Sequence, residues 1–416
     1  MQASRLTAAI FLSMILGIVV GFICHRFFVD STSAFAENIS LLPTIFLRLI
    51  KMIIAPLVFA TLVGGIARMG DAGTIGRIGG KAMAWFMSAS LISLSLGLML
   101  VTAFQPGKIL KLPLPAANAH SEIEAGALSL QTFIAHAVPV SIIDAMARNE
   151  ILQIVVFSVF FGVATAAIGE RNRPLLDIFD QLGSIMLKLT GYVMLFAPLA
   201  VFGALAGTVA KQGLEIIAVY GVFMGEFYLA ILALWLVLIA IGAIFIGPRV
   251  ILLLKYMRAP LLLAFATASS EAAYPKTLEG LQRFGISNKI SSFILPLGYS
   301  FNLDGSMMYC TFAVMFIAQA YGIELTLTQQ ILMLAVLMLT SKGIAGVPRA
   351  SLVVIAATLS QFNIPEAGLL LLLGIDHFLD MGRSATNVIG NSLAAAVVAR
   401  WESDHGDEIE AEPVLS

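Results

Sequence analysis

The chain has 416 residues, of which 59% are hydrophobic and only 12% are charged, and its formal net charge is −1. So few charged side chains cannot cover the surface of a soluble globule, and the composition therefore excludes a water-soluble domain. Apolar windows of about 20 residues, long enough to cross a bilayer as helices, recur along the sequence. The chain is predicted to be an all-α, multi-pass protein of a bacterial inner membrane, with no nucleic-acid partner.

The apolar windows of the first half are long and are joined by polar connections. The first window is predicted to be a transmembrane helix, because it is too long for a signal peptide and lacks a convincing cleavage site. The polar stretch 106–129, which carries Pro, Lys and Glu, is expected to be an external loop. The windows lie at roughly 6–24, 44–66, 82–104, 150–169, 186–210 and 216–247, with shorter pieces after residue 259.

The distribution of charge predicts how the chain crosses the membrane. Arg68, Arg77 and Lys81 follow the second window, whereas Asp30 and Glu37 precede it. An excess of basic residues marks cytoplasmic connections. The N-terminus and the connection after the second window are therefore predicted to be cytoplasmic, and the acidic C-terminal tail is expected on the same side.

The second half of the chain is broken by small polar residues. Two interruptions, ATASSEAAYP and SKGIAGVPRAS, place Ser, Gly or Ala with a Pro midway through an apolar region of about 30 residues. A helix that enters the membrane, turns at a small-residue tip and returns fits both. Such backbone is tolerated only where it is buried in protein or lines a cavity, and paired interruptions indicate a transporter's substrate site. Two surface loops between ordinary helices are the alternative.

The segment LLLGIDHFLDMGRSATNVIGNS (371–392) combines an apolar run with charged and amide side chains. Asp376, Asp380, Arg383, Asn387 and Asn391 are spaced +4, +3, +4 and +4, which places them on one face of a helix. A charge at the bilayer centre costs at least ~2.5 kcal/mol, so this stripe is predicted to face polar groups or an aqueous cavity. The pattern favours a ligand or ion site over a structural Asp380–Arg383 pair that locks two helices together.

Two residues of this stripe predict the chemistry of the ligand. The planar guanidinium of Arg383 can donate two parallel hydrogen bonds to a carboxylate. Asp380, one turn away, can hold an ammonium group. A ligand with both groups is an amino acid, and a second carboxylate can be bound by Ser269 and Ser270 at the tip of the first interruption.

A third polar break, SFNLDGS (300–306), has the chemistry of a cation site. Asn302 and Asp304, followed by Gly305, predict a local unwinding of a helix, because glycine relieves the backbone and short polar side chains replace lost partners. The carbonyl and carboxylate oxygens of such a break are ligands that hard cations prefer. A capped helix end at the membrane surface is the alternative.

Four motifs carry a family resemblance: ASSEAAYP, SFNLDGS, SKGIAGVP and DMGRSATNVIGNS, in that order. The chain that contains them resembles the dicarboxylate/amino acid:cation symporter family, and within it the proton-coupled glutamate carriers. The resemblance implies eight transmembrane helices plus two re-entrant hairpins, at about 250–285 and 325–365, in a homotrimer that works as an elevator.

The resemblance also implies a division into a scaffold and a mobile transport unit. The implied parts are scaffold helices 1–2 at 1–80, transport helix 3 at 81–105, an external loop with scaffold helices 4–5 at 106–212, the remaining transport unit at 213–402, and an acidic cytoplasmic tail at 403–416.

Individual site residues follow from the resemblance. The family's arginine for the side-chain carboxylate falls on Arg383, its aspartate for the amino group on Asp380, and its asparagine for the α-carboxylate end on Asn387. Ser306 matches a threonine or serine that contacts substrate. The hairpins place Ser270, Val347 and Ser351 beside the site, with a gate at Gly346, Pro348 and Arg349.

Substrate preference follows from one of these positions. Carriers selective for C4-dicarboxylates tend to lack the aspartate that matches Asp380. The presence of Asp380 therefore favours glutamate or aspartate over succinate, fumarate or malate.

The cation positions implied by the resemblance depart from the sodium-driven pattern. Those members carry an aspartate where this chain has Asn391, and a tyrosine and a threonine where it has Phe86 and Ala89. The loss of a carboxylate and two oxygen ligands weakens sodium binding. Proton coupling is therefore favoured, with a weakened Na⁺ site as the alternative. The implied cation positions are Gly298, Asn302, Asp304, Asn391 and Ser90.

Two charged residues of the hairpins have open roles. Glu271 is the candidate proton carrier, because a carboxylate in a low-dielectric site holds its proton more tightly than in water. A pairing of Glu271 with Lys276 or Lys342 is the alternative. Arg349 stands where many relatives have glycine, and it either supplies a positive charge near the substrate or reaches solvent.

These features favour a secondary active symporter over other classes. No GxxxxGK[ST] phosphate loop occurs, and no cofactor is expected besides the co-transported H⁺ or Na⁺. An intramembrane protease using Asp304 and Asp380 is disfavoured, because Arg383 would keep Asp380 ionised whereas such a dyad shares a proton. A channel is disfavoured, because an Arg–Asp pair recognises a zwitterion better than it passes an ion. A C4-dicarboxylate symporter is the alternative within the class.

Overall fold

The computed structural model describes residues 3–28, 32–69, 72–109, 137–168, 172–340 and 350–403. These residues are almost entirely helical, and they contain no strand. The helices are α1 Ala3–Phe27, α2 Thr32–Ile39, α3 Leu41–Met69, α4 Ala72–Phe104, α5 Pro106–Ile109, α6 Ile142–Arg148, α7 Ile151–Ile168, α8 Arg173–Val193, α9 Ala197–Gln212, α10 Glu215–Ile246, α11 Arg249–Thr267, α12 Ser270–Phe284, α13 Asn288–Phe301, α14 Asp304–Ala320, α15 Leu327–Thr340, α16 Ala350–Gln361, α17 Leu370–Leu373 and α18 Asp376–Ser403.

Within the described residues, eight helical segments are long and apolar enough to cross a membrane. The set includes α11, which the sequence predicts to be one arm of a hairpin, and it omits α18. At 28 residues α18 is long enough to span, but its polar face lowers its mean hydropathy. Hydropathy alone therefore selects α11 and omits α18, which carries three of the four buried charged side chains of the described residues.

One group of helices packs around α3. It consists of α1, α2, α3, α7, α8 and α9, with α1 lying along α9 and with α7 and α8 lying against α3. Two glycines of α1 make its close approach to α9 possible. A Cβ at Gly17 would lie 2.8 Å from the Phe202 carbonyl oxygen, and one at Gly21 would lie 2.7 Å from that of Ala206.

A second group of helices encloses α18. Helices α10, α11, α12, α13 and α14 all contact α18, and α4 packs along α14. As a result, residues 381–399 of α18 are buried throughout, on its polar as well as its apolar faces. The two groups of helices meet mainly where α3 packs against α13.

Two pairs of contacting helices occupy the places where hairpins are predicted. Helices α11 and α12 pack against each other around a turn at Ala268, which has φ 49°. At 15 residues α12 is about 22 Å long, short of the ~30 Å hydrocarbon core, as expected for a re-entrant arm. Helices α15 and α16 form the second pair. The tip between them, with Gly346, Val347, Pro348 and Arg349, lies outside the described residues.

The helix that carries SFNLDGS is interrupted as the sequence predicts. Helix α13 ends at Phe301 and α14 begins at Asp304, so that Asn302 and Leu303 lie between two helices. The side chains of Asn302 and Asp304 are fully buried, which argues against a capped helix end at the membrane surface.

A charged cluster joins the beginning of α4 to the end of α18. Glu402 is buried, and it accepts hydrogen bonds from Arg77 at 2.9 Å and from Lys81 at 2.6 Å. Lys81 also donates to the carbonyl oxygen of Trp401 at 2.7 Å. These two basic residues, which served as a topology signal in the sequence, therefore also fix the two helix ends to each other.

Candidate functional site

The five polar residues of the 371–392 segment share one face of α18, as their spacing predicts. The side chains of Asp376, Arg383, Asn387 and Asn391 are buried, and Asp380 is partly exposed. The five leucines that precede them belong to a separate 3₁₀ turn and the short helix α17. The polar face therefore begins at the first residue of α18.

Arg383 and Asp380 form an ion pair within α18. The guanidinium donates from Nε at 2.8 Å and from Nη2 at 2.7 Å to the same carboxylate oxygen, Oδ1 of Asp380. The hydroxyl of Ser384 also donates to that oxygen, at 3.1 Å. Among the described residues, Nη1 of Arg383 is buried without a hydrogen-bond partner. The pair thus keeps unused donors on the arginine and a second carboxylate oxygen outside these bonds.

Tyr309 of α14 supports the arginine from its other side. The Arg383 guanidinium lies over the Tyr309 ring, 4.7 Å from its centroid. The Tyr309 hydroxyl donates to Oδ1 of Asp376 at 3.0 Å. Because the ring and the pair with Asp380 both restrict the guanidinium, Arg383 is held in one orientation before any ligand arrives.

Asn387 connects α18 to the broken helix. Its amide oxygen accepts from the backbone N–H of Gly305 at 2.9 Å and of Ser306 at 3.4 Å. Its amide nitrogen donates to the Ser306 hydroxyl at 3.3 Å. Both N–H groups belong to the first turn of α14, where backbone N–H groups lack partners inside their own helix. Asn387 therefore stabilises the helix break while its nitrogen keeps one further hydrogen to donate.

The hairpin residues predicted to line the site lie close to this face. Ser269 caps α12, with its hydroxyl accepting from the Ala272 N–H at 3.2 Å. The carbonyl of Ser270 accepts from the Tyr299 hydroxyl at 2.8 Å. Ser351, at the start of α16, is buried against α14, where its carbonyl accepts from the thiol of Cys310.

A cavity of about 640 Å³ brings these residues together. This is a size typical of small-molecule sites. It lies between the α18 face and α2, α3 and α9 of the first helix group. Its described lining includes the predicted site residues Ser269, Ser270, Glu271, Ser306, Ser351, Asp376, Asp380, Arg383 and Asn387.

A second polar cluster lies beside the helix break and does not line this cavity. Nδ2 of Asn302 donates to Oδ2 of Asp304 at 3.1 Å and to Oδ1 of Asn391 at 3.2 Å. The hydroxyl of Ser93 donates to Oδ1 of Asp304 at 3.3 Å. The absence of a side chain at Gly298 is required, because a Cβ there would collide with Asn391.

The chain matches one family model and many relatives. The model of the sodium:dicarboxylate symporter family matches residues 6–401. A proton/sodium-glutamate symport protein of Geobacillus stearothermophilus is 39% identical over 416 residues, covering 98% of this chain and 97% of that protein. The chain belongs to the sodium:dicarboxylate symporter family. Members of this family are transporters, so the protein is a multi-pass membrane symporter and not an enzyme.

Relatives in the same family carry different substrate names at the same level of similarity. A C4-dicarboxylate transport protein of Laribacter hongkongensis is 38% identical over 411 residues, covering 97% of this chain and 92% of that protein. One of Rhodospirillum rubrum is 40% identical over 400 residues, covering 95% and 89%. Overall identity therefore does not choose between an amino acid and a plain dicarboxylate.

The family couples transport to a cation. The buried cluster around Asn302 and Asp304 fits a sodium ion only in part. In its favour, Asp304 is fully buried and Oδ1 of Asn302 is buried without a hydrogen-bond partner. Against it, Asn391 presents an unpartnered buried nitrogen, Nδ2, which is a donor and cannot bind a cation. Phe86 and Ala89 of α4 are buried and carry no side-chain oxygen.

The remaining residues singled out in the sequence lie in different places. Glu271 lines the cavity, whereas its suggested partner Lys276 forms an ion pair with Glu279 at 2.7 Å. Lys342 lies outside the described residues, as does most of the predicted loop 106–129. Ser90 is buried in α4, one turn from Ser93.

Three functional candidates were not predicted: Tyr309, Ser93 and Lys51. For two of them, the spacing from a predicted site residue could have indicated this role. Tyr309 follows Ser306 by one helical turn, and Ser93 follows Ser90 by one turn. Lys51 lines the cavity from α3 and gives no local sign of this role.

Proposed function

We propose that the protein imports glutamate or aspartate across the bacterial inner membrane together with a cation, and that this cation is a proton rather than sodium. The observation that carries the substrate assignment is the Arg383–Asp380 pair in the wall of a cavity of about 640 Å³. Arg383 has a buried nitrogen without a partner, and Asp380 is 25% exposed. Each group therefore keeps capacity for one end of a zwitterion.

In the proposed complex, every charged group of the substrate has its own partner, and the main partners are successive side chains on one face of α18. The side-chain carboxylate binds Nη1 of Arg383, and the ammonium binds Oδ2 of Asp380. The α-carboxylate binds the remaining amide hydrogen of Asn387 and the hydroxyls of Ser306 and Ser270, with Ser269, Val347 and Ser351 completing the wall. Such a set of polar groups in a largely apolar pocket fixes orientation and gives specificity.

The mobile part of the proposed carrier consists of the helices that enclose α18. Helix α4 from residue 81 onward and helices α10 to α18 form the transport unit at 81–105 and 213–402. Helices α1 to α3, the beginning of α4 and helices α5 to α9 form the scaffold at 1–80 and 106–212. We propose that three copies associate through their scaffolds and that the transport unit slides as an elevator. Gly346, Pro348 and Arg349 are then gate residues. The cavity supports this division, because it runs along the boundary between the two groups.

A C4-dicarboxylate:cation symporter is the second candidate, because several relatives at 38–40% identity carry that name. The two candidates differ in the need for Asp380. Succinate has no ammonium group, and a carboxylate beside its binding arginine would repel it. Uptake of labelled aspartate and labelled succinate into proteoliposomes separates the two, and faster uptake of succinate would favour the second candidate.

The coupling ion is tested by the driving force for uptake. In sodium-free proteoliposomes, we expect an imposed inward proton gradient to drive accumulation of labelled glutamate or aspartate. The reason is that Asn391 replaces a carboxylate in the buried cluster, so a sodium ion would lack one of its ligands. A strict requirement for sodium, with no response to the proton gradient, would reject proton coupling.

A single substitution in the buried cluster should restore sodium dependence. We expect Asn391→Asp to lower the sodium concentration for half-maximal uptake at least about 10-fold, because it replaces the unpartnered donor with a second carboxylate next to Asp304. The matched control is Asn363→Asp, the same change at an exposed turn. Sodium dependence that is equal in both variants would show that the cluster does not bind the coupling ion.

A further inference from the structure

Glu271 faces a positively charged residue of the other helix group. Lys51 of α3 and Glu271 of α12 both line the cavity, and the two groups interact electrostatically. Helices α3 and α12 also contact each other directly. The ammonium of Lys51 and the carboxylate of Glu271 thus lie on opposite sides of the boundary along which the proposed transport unit moves.

Three other charged residues of the cavity lining already have partners. Asp380 pairs with Arg383 at 2.7 Å, and Asp376 accepts from Tyr309 at 3.0 Å. The described lining carries four carboxylates, those of Glu37, Glu271, Asp376 and Asp380, and three cations, those of Lys51, Lys211 and Arg383, so the fully ionised lining has one excess negative charge. Of these cations, Arg383 is committed to Asp380, whereas Lys51 interacts with Glu271.

The groups that face Glu271 come from several elements. Lys51 faces it from α3, Asp380 from α18, and Tyr299 from α13, and Arg383 of α18 lines the same cavity. His377 of α18 lines the same cavity. Helix α11 contributes no ionisable side chain to the cavity lining, since its lining residue is Thr267. Glu271 is partly buried, and burial disfavours its ionised form. The carboxylate of Asp380 also opposes that form, whereas the ammonium of Lys51 favours it.

Resting on the proton-coupled function proposed above, we infer that Lys51 is a positioned counter-charge for Glu271, which offsets the effect of burial and favours the ionised form of this carboxylate in the empty site. A substrate with net charge −1 brings a further negative charge beside Asp380 and Glu271. That charge opposes the effect of Lys51, and Glu271 then takes a proton from water. The proton and the anionic substrate are therefore loaded together, and Glu271 without substrate carries no proton across.

The test is a pH profile of labelled aspartate uptake for Lys51→Met, Glu271→Gln and the double variant. We expect Lys51→Met to move the external pH of half-maximal uptake upward by roughly one unit, because Glu271 then takes its proton more readily. We expect Glu271→Gln to flatten the profile. In the Glu271→Gln background, Lys51→Met should then cause no further shift, as coupling between the two residues requires.

The matched control is Arg48→Met, one turn before Lys51 on the same helix. Arg48 lines a neighbouring cavity together with Lys51, but it is not part of the described lining of the site cavity. Its profile should follow that of the unaltered protein. Gel filtration of each variant in detergent checks that it is folded.

The possible failures are distinguishable. Uptake by the unaltered protein that does not respond to pH would overturn the proton coupling and this inference together. A normal response in the unaltered protein, combined with an unshifted profile for Lys51→Met, would overturn the inference alone. A shift of equal size with and without Glu271 would also overturn it, since Lys51 would then act on another group.

Discussion

In proteoliposomes that contain Arg383→Lys, uptake of aspartate, glutamate and succinate should all fall by at least about 100-fold. The guanidinium is buried, bonded to Asp380 through two nitrogens and held over the Tyr309 ring. An ammonium cannot reproduce the planar fork that binds two carboxylates at once, and each charge-assisted hydrogen bond that is lost is worth ~1.5–3 kcal/mol. Because every candidate substrate has a carboxylate that needs this arginine, the loss should not depend on the substrate.

The control for this substitution is Arg283→Lys. Arg283 pairs with Glu279 at 2.6 Å on an exposed surface of α12, where its side chain is 61% exposed. A surface pair of this kind contributes little, so uptake should be unchanged. Thermal unfolding of both variants, followed by gel filtration, separates a lost site from a lost fold. A folded Arg383→Lys protein with normal uptake would contradict the assigned role of the arginine.

The second large effect is a change of substrate preference in Asp380→Ser. We expect aspartate and glutamate uptake to fall about 10- to 100-fold, because an ammonium loses a charge-assisted hydrogen bond worth ~1.5–3 kcal/mol. Succinate uptake should be retained or increased, since the carboxylate that repels a second anion is gone. The arginine remains near Asp376 and over Tyr309, so the fold should survive.

Asp144→Ser is the control for that experiment. Asp144 is exposed and pairs with Arg148 at 3.0 Å on α6, away from the cavity. The ratio of aspartate to succinate uptake should be the same in this variant as in the unaltered protein. If Asp380→Ser also leaves the ratio unchanged, the ammonium of the substrate does not bind Asp380.

The parts of the site that could be predicted from the sequence are those in which polar residues interrupt an apolar segment. The energetic cost of a charge in lipid forces the face of α18 toward other polar groups, and its spacing fixed which residues share that face. The break at Asn302 was predictable for the same reason. The two helix pairs followed from small-residue tips that an ordinary span would not contain.

Residues that act from other helices could not be predicted in this way. Lys51 sits in RLIKMIIAP, where a basic residue in an apolar helix has the same local pattern as one that reaches solvent. Its position on the cavity depends on how α3 packs against α12, which is a long-range contact. The position of Arg383 and Asp380 on one face of α18 was predicted, but the support of Arg383 by Tyr309 depends on the packing of α14 against α18.

Hydropathy gave one misleading result, and its physical cause is the site itself. Helix α18 crosses the protein interior among other helices rather than against lipid. Its polar residues therefore contact protein and avoid the cost of a polar group in lipid. Conversely, α11 is apolar enough to span but ends at a turn before Ser269. Length and hydropathy thus identify helices that can face lipid, whereas the residues of the site are buried in protein.

The most direct test of the account is a competition measurement on the unaltered protein. Uptake of labelled L-aspartate into proteoliposomes is measured against unlabelled L-glutamate, succinate and L-asparagine. An arginine and an aspartate that bind the two ends of a zwitterionic dicarboxylate require both carboxylates and the ammonium. L-glutamate should therefore compete at least about 10-fold better than either succinate or L-asparagine. Competition by succinate that equals or exceeds that of L-glutamate would contradict the account.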